Sequence, residues 1–279
     1  MRHVRFDVGG GVTIAGDAHG DPSAPPVLLL HGGGQTRHAW GGTAAALGRA
    51  GRHAIALDLR GHGDSSWAPD GDYAMEAFVR DLRTIVDGLG APPALVGASL
   101  GGLVALLAQG ETTTPLASAV VLVDIAPRTE PAGVTRIIEF MRAAPDGFAT
   151  LEEVADAIAA YQPHRPRPTR LDGLRKNLRR GADGRWRWHW DPAFMDGRRR
   201  VNATNDPERL ERAATNLRVP ALLVRGQMSD VVSEEGARAF LRLVPDARYV
   251  DVTGAAHMVA GDRNDPFTTA VVEFLAGCR

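Results

Sequence analysis

The chain has 279 residues, of which 44% are hydrophobic and 23% charged, with a formal net charge of −1 and a single cysteine, Cys278. That length buries a large core and suits one sizeable domain, or one domain with an insertion. The near-neutral charge lacks the cationic field that a nucleic-acid partner needs. One thiol beside the chain end leaves no disulfide framework and no thiolate metal cluster; with no apolar leader and no membrane-length stretch, a cytoplasmic protein without a membrane partner is expected.

In chain order, residues 2–8 and 11–19 alternate apolar with polar around Gly9-Gly10-Gly11, which predicts a hairpin. Apolar strands then alternate with helical segments. PPVLLLHGGG (25–34) precedes a helix near 37–50, and RHAIALDLRGHG (52–63) precedes one near 74–89. PPALVGAS runs into a helix from Leu100, and ASAVVLVDIAP (117–127) is a further continuous apolar strand. After Pro127 the texture changes. Residues 128–215 hold amphipathic helical segments, a Pro/Arg-rich patch at 163–170 and the aromatic run RWRWHWDPAF. Strands resume with VPALLVRG (219–226) and ARYVDV (247–252), each followed by a helix, one after Ser233 and one after Asp265-Pro266.

Continuous apolar strands alternating with helices predict an α/β fold with a mostly parallel central sheet covered on both faces. The expected division is a core of residues 1–127 and 216–279 with a helical lid inserted at 128–215.

Within ALVGASLGGLVALLAQG (94–110) a strand becomes a helix at Gly97-Ala98-Ser99-Leu100-Gly101. A serine on such a turn is held in a strained backbone that lifts its hydroxyl above the sheet edge. The neighbours two residues away must be small because strand and helix approach closely there. Ser99 is therefore the candidate nucleophile, a serine in an ordinary glycine-rich turn being the plain alternative. Its hydroxyl needs a base, and the base needs an orienting carboxylate.

In a chain ordered serine, acid, histidine, His257 is the histidine of the C-terminal quarter, in the loop TGAAHMVAG after a strand. For the acid, ALLVRGQMSDVVS places Asp230 in a loop beyond its strand, and it is the first choice. Asp124, at the end of the preceding strand with almost no loop, is the runner-up, and Asp251 lies inside a strand. Donors for the oxyanion are expected from the N–H of Leu100 and from the loop in LLLHGGGQ, with Gly33 ahead of Gly34. His31 reads as a structural histidine bonding that loop's backbone.

HGGG, LDLRGHGDSS, GASLGG, RGQMSD and GAAHM, in this order and at these spacings, resemble the α/β-hydrolase superfamily over essentially the whole chain. The resemblance implies the α/β-hydrolase fold and treats LDLRGHGDSS as a structural turn, leaving Asp58, Arg60, His62 and Ser65 without a catalytic role. The fragment GHGDSS also has the glycines of a phosphate loop but lacks the Lys-Ser/Thr ending. Members that open epoxides or remove halide carry aspartate at the nucleophile position, whereas this chain has Ser99. The expected reaction is therefore acyl transfer to water through an acyl-enzyme, on a small-molecule ester. Lactone, thioester or carbon–carbon hydrolysis and perhydrolysis would use the same parts. A small-molecule receptor with little turnover is the alternative from another class.

No metal-ligand spacing occurs, and no cofactor is expected. Nothing in the residues speaks to oligomeric state. Between Tyr161 and Arg200 twelve Arg/Lys stand against four Asp. That excess either steers anionic substrates or forms a solvated surface. Trp186, Trp188 and Trp190 alternate with basic residues and serve packing or a pocket wall. Trp188, with His38 and Trp40 after the oxyanion loop, is a candidate pocket residue.

Overall fold

The computed structural model describes residues 1–196, 206–257 and 264–278. In chain order, β1 (Arg2–Asp7) and β2 (Thr13–His19) form the expected hairpin, followed by β3 (Pro26–Leu30). A 3-10 turn at Arg37–Trp40 leads into α1 (Gly41–Arg49). Next come β4 (His53–Leu57), α2 (Met75–Asp87), β5 (Ala94–Ala98), α3 (Leu100–Gly110) and β6 (Ala119–Val123). Then follow α4 (Pro131–Arg142), α5 (Leu151–Tyr161), β7 (Leu178–Arg180), β8 (Trp186–Trp188), α6 (Pro192–Asp196) and α7 (Pro207–Thr215). The chain closes with β9 (Ala221–Gly226), α8 (Glu234–Leu243), β10 (Arg248–Val252) and α9 (Asn264–Ala276).

Eight strands form one sheet in the order β1-β2-β4-β3-β5-β6-β9-β10. The pairings of β1 with β2 and of β2 with β4 are antiparallel, and all others are parallel. The central parallel strands β3, β5 and β6 are apolar throughout because helices cover both faces. Alternate residues of β3 separate cleanly: Leu28 and Leu30 join the cluster that holds Phe78, Leu103, Ala213 and Phe240. Val27 and Leu29 join Trp40, Leu47, Phe267 and Val271 on the other face. Burying a side chain of this size contributes roughly 1.5–3 kcal/mol.

Strand β9 lies beside β6, so the described part of residues 128–215 adds no strand to the main sheet. That segment is not helical throughout: β7 and β8 form a separate antiparallel hairpin. The alternation of Trp186 and Trp188 with Arg185 and Arg187 is thus the period-2 pattern of a strand. Helix α7 returns to the core layer, and a Cβ on Gly110 of α3 would collide with the backbone of Ala213. Among the described residues no helix is long and apolar enough to cross a membrane.

Candidate active site

Ser99 links β5 to α3 with φ 47° and ψ −115°, a left-handed conformation that L-residues rarely adopt. The strain is held from both sides. Ser99 N–H donates to Val123 O at 3.1 Å, and Gly101 N–H donates to His31 O at 3.1 Å. A Cβ at Gly97 would strike the carbonyl of Gly101, and one at Gly101 would strike the carbonyl of Leu30. Both glycines are therefore demanded by the crossing of strand and helix.

His257 follows β10, and its Nδ1–H donates to Asp124 Oδ2 at 2.7 Å. This corrects the expectation for the acid, because Asp230 does not meet the histidine. Asp230 instead pairs with Arg136 of α4 at 2.9 Å, with 35% of its side chain exposed. Asp124 is fully buried and has φ 49°. Its own N–H continues the ladder to Val224 O at 2.7 Å, and the left-handed residue then turns the chain out of the strand. No intervening loop is needed. Its carboxylate also accepts Gly226 N–H at 2.9 Å on Oδ1 and Ser229 O–H at 2.5 Å on Oδ2. Ser229 Oγ in turn accepts the N–H groups of Val231 and Val232 at 3.1 and 3.0 Å. Donors placed on both oxygens in this way fix the aim of the buried carboxylate. Asp251 pairs with Arg225 at 3.2 Å.

The loop after β3 is organised by three histidines. His31 Nδ1–H donates to Gly32 O at 2.7 Å, while its Nε2 accepts Leu59 N–H at 2.9 Å. His62 Nδ1–H donates to Arg60 O at 2.9 Å, and its Nε2 accepts Gly34 N–H at 3.1 Å. His189 Nδ1 accepts Gly63 N–H at 2.8 Å, and its Nε2–H donates to Gly34 O at 3.3 Å. One donor and one acceptor per ring require neutral imidazoles. Burial accordingly lowers His31 to about 4 and His62 to about 3, and it holds His189 well below the usual histidine value.

These bonds decide which N–H groups remain for a ligand. Gly32 N–H donates to Gln35 Oε1 at 3.1 Å and Gly34 N–H donates to His62, so the second-choice donor is already engaged. Among the described residues the N–H groups of Gly33 and Leu100 have no acceptor. Elsewhere in the same turn, buried Asp58 accepts Arg37 N–H at 2.7 Å and Asp64 N–H at 2.9 Å. Arg60 grips Asp81 through two bonds of 2.7 and 2.5 Å, and Ser65 O–H donates to Asp58 O at 2.7 Å. All four residues of that turn are spent on structure.

Gly33, Ser99 and His257 line a cavity of about 340 Å³. Its opposite wall comes from the 128–215 segment, chiefly Met141, Phe140, Tyr161 and Trp188. Phe140 stacks on Tyr161 at 4.1 Å, and Trp188 stacks on Trp190 at 5.2 Å. Trp40 and His38 also line the cavity; Trp40 is fully buried against Phe267, whereas His38 is exposed. Trp186 packs on the same lid cluster as Trp188, under the guanidinium groups of Arg175 and Arg180, and does not line this cavity. It lines a larger open groove of about 870 Å³, which includes neither Ser99 nor His257.

Ser229, His62 and His189 have contacts that the sequence reading missed. Ser229 stands next to the favoured Asp230 in SDVVS, but its bond to a strand 105 residues away leaves no local mark. His189 lies 126 residues from the backbone it holds.

The chain matches the family model for the alpha/beta hydrolase fold over residues 25–263. It is 30% identical over 267 residues to the esterase Rv0045c of Mycobacterium tuberculosis, covering 91% of this chain and 83% of that protein. It is 28% identical to the mouse sn-1-specific diacylglycerol lipase ABHD11, covering 92% of this chain and 83% of the lipase. Among solved structures, E-2-(acetamidomethylene)succinate hydrolase superposes with a TM-score of 0.83 at 25% identity, covering 99% of both chains. With esterase and lipase relatives supporting hydrolase chemistry, the chain belongs to the α/β-hydrolase family.

Proposed function

We propose that the protein is a serine hydrolase that cleaves a carboxylic ester through an acyl-enzyme. The observation that carries this reading is the buried Asp124–His257 bond of 2.7 Å beside a cavity that Ser99 also lines. Ser99 Oγ attacks the acyl carbon while His257 Nε2 takes its proton. Asp124 holds the other ring nitrogen and balances the imidazolium charge. The tetrahedral oxyanion is received by the N–H groups of Gly33 and Leu100, which need no reorganisation because their neighbours are already bonded elsewhere. His257 then protonates the leaving alcohol. Water, activated by the same histidine, releases the acid and restores Ser99.

The described part of residues 128–215 that precedes α7 acts as a lid whose aromatic wall excludes bulk water and shapes the acyl pocket, with Trp188 as wall and Trp40 and His38 at the loop side. The esterase and lipase relatives support ester cleavage over other acyl chemistry.

Labelling by a fluorophosphonate together with turnover of p-nitrophenyl acetate tests the proposal. Labelling of Ser99 with turnover supports the hydrolase. Labelling without turnover of any ester, lactone or thioester points to a receptor.

A further inference from the structure

The charge on the cavity wall has one sign. Arg165 and Lys176 line the cavity that holds Ser99 and His257, and among the described residues no Asp or Glu does. Arg165 and most other cations of this segment are already engaged. Arg167 pairs with Asp156 at 2.6 Å, Arg175 with Asp172 at 3.2 Å and Arg187 with Asp183 at 2.7 Å. Arg179 donates to Gly63 O, and Arg185 donates to the carbonyls of Asp146 and Gly147. Lys176 forms no ion pair among the described residues and is exposed. Arg165 is half-buried, with Nη1 donating to Gln162 Oε1 at 3.2 Å.

A second groove of about 690 Å³ shares Thr36, His38 and Lys176 with the cavity and continues past Arg5, Arg175 and Arg179. Its one acid among the described residues, Asp64, is tied to Arg37 at 2.8 Å. Partial desolvation, then Arg37 and Lys176, lower the His38 imidazole from its usual value against the opposing pull of Asp58 and Asp17. A cleft walled by one sign of charge focuses its potential on the entering molecule.

Resting on the acyl-hydrolase reading, we propose that the substrate is an anionic ester, whose carboxylate or phosphate docks at the cavity mouth against Lys176. Apart from Gln35, Thr36, Gln162, Asn177 and the site residues, the lining is mostly apolar and aromatic, so the anion sits at one end of a largely apolar molecule. Lys176 acts as a specificity residue: it concentrates and orients the substrate and lowers KM, without touching the reacting atoms.

Two matched pairs of substrates test this. The monoanion 4-nitrophenyl hydrogen adipate against its neutral methyl ester probes a charge on the acyl side. The anion 4-acetoxybenzoate against methyl 4-acetoxybenzoate probes a charge on the alcohol side. The quantity read is the ratio of kcat/KM, anionic over neutral, each corrected for its rate with hydroxide. At low salt the wild type is expected to give a ratio of at least about 5 in one pair, carried by KM. The ratio should shrink in 0.5 M salt, as screening requires. Lys176→Met should bring it to about 1, and Lys176→Glu should bring it below 1.

A ratio at or below 1 in both pairs, or one that Lys176→Glu leaves in place, overturns the proposal while neutral-ester turnover keeps the hydrolase reading. Failure to turn over any of the four esters sinks both.

Discussion

His62 Nε2 accepts the Gly34 N–H at 3.1 Å, so the turn after β4 holds the loop after β3. The same ring lies 5.1 Å from His31 and 5.7 Å from His189, and the latter accepts Gly63 N–H and donates to Gly34 O. Three neutral rings thus set the glycines around the N–H of Gly33.

This cluster sets a pH dependence of stability. His31 and His62 have folded values of about 4 and about 3, well below the 6.5 of an exposed histidine. Between pH 6.5 and 4 the unfolded chain takes up protons that the folded chain refuses. Their contribution is complete above pH 6.5 and is lost as pH falls through that window. Each ring adds a slope approaching about 1.4 kcal/mol per pH unit. His62→Gln, which can still accept from Gly34 and donate to Arg60 O, should flatten the fall by about one ring's share. Urea titrations at pH 7.5, 5.5 and 4.5 measure it, and an unchanged slope would show that His62 titrates normally.

Asp124→Asn is expected to lower kcat/KM for an ester at least about a hundredfold, because an amide cannot hold the histidine tautomer that accepts the serine proton. Asp230→Asn should cost no more than about threefold, since it breaks only a partly exposed ion pair with Arg136. Steady-state kinetics of the two variants decide the matter, and the reverse pattern would return the acid to Asp230.

Ser99→Ala should fold like the wild type and lose at least about a thousandfold in rate. It should also lose fluorophosphonate labelling. Retained labelling at another residue would mean that the nucleophile lies elsewhere.

Gly101→Ala should destabilise the protein by about 1–3 kcal/mol, because the added methyl meets the Leu30 carbonyl, which cannot move without its strand. Thermal melts report this. An unchanged midpoint would mean that strand and helix stand further apart than described.

Residues close together in the chain could be read from it directly. The change from apolar run to helical spacing around Ser99, the hairpin turn at Gly9-Gly10-Gly11 and the Ser233 cap all act within a few positions. There, local sterics and hydrogen bonding decide the structure. The apolar character of β3, β4, β5, β6 and β9 likewise announced a parallel sheet covered on both faces.

The partner of His257 was different. Asp124 and Asp230 both follow strands, and a loop looked necessary to swing the acid toward the histidine. A left-handed φ of 49° at Asp124 does that work, held by Gly226 and Ser229 from the neighbouring strand's loop. The alternation of Trp186 and Trp188 became a strand only because β7 was there to pair with it. The neutral histidines around Gly33 likewise join segments up to 155 residues apart. Local propensity determined the elements; contacts made only when distant segments are packed decided which carboxylate meets His257, which N–H groups of the loops are left without an acceptor and which residues wall the cavity.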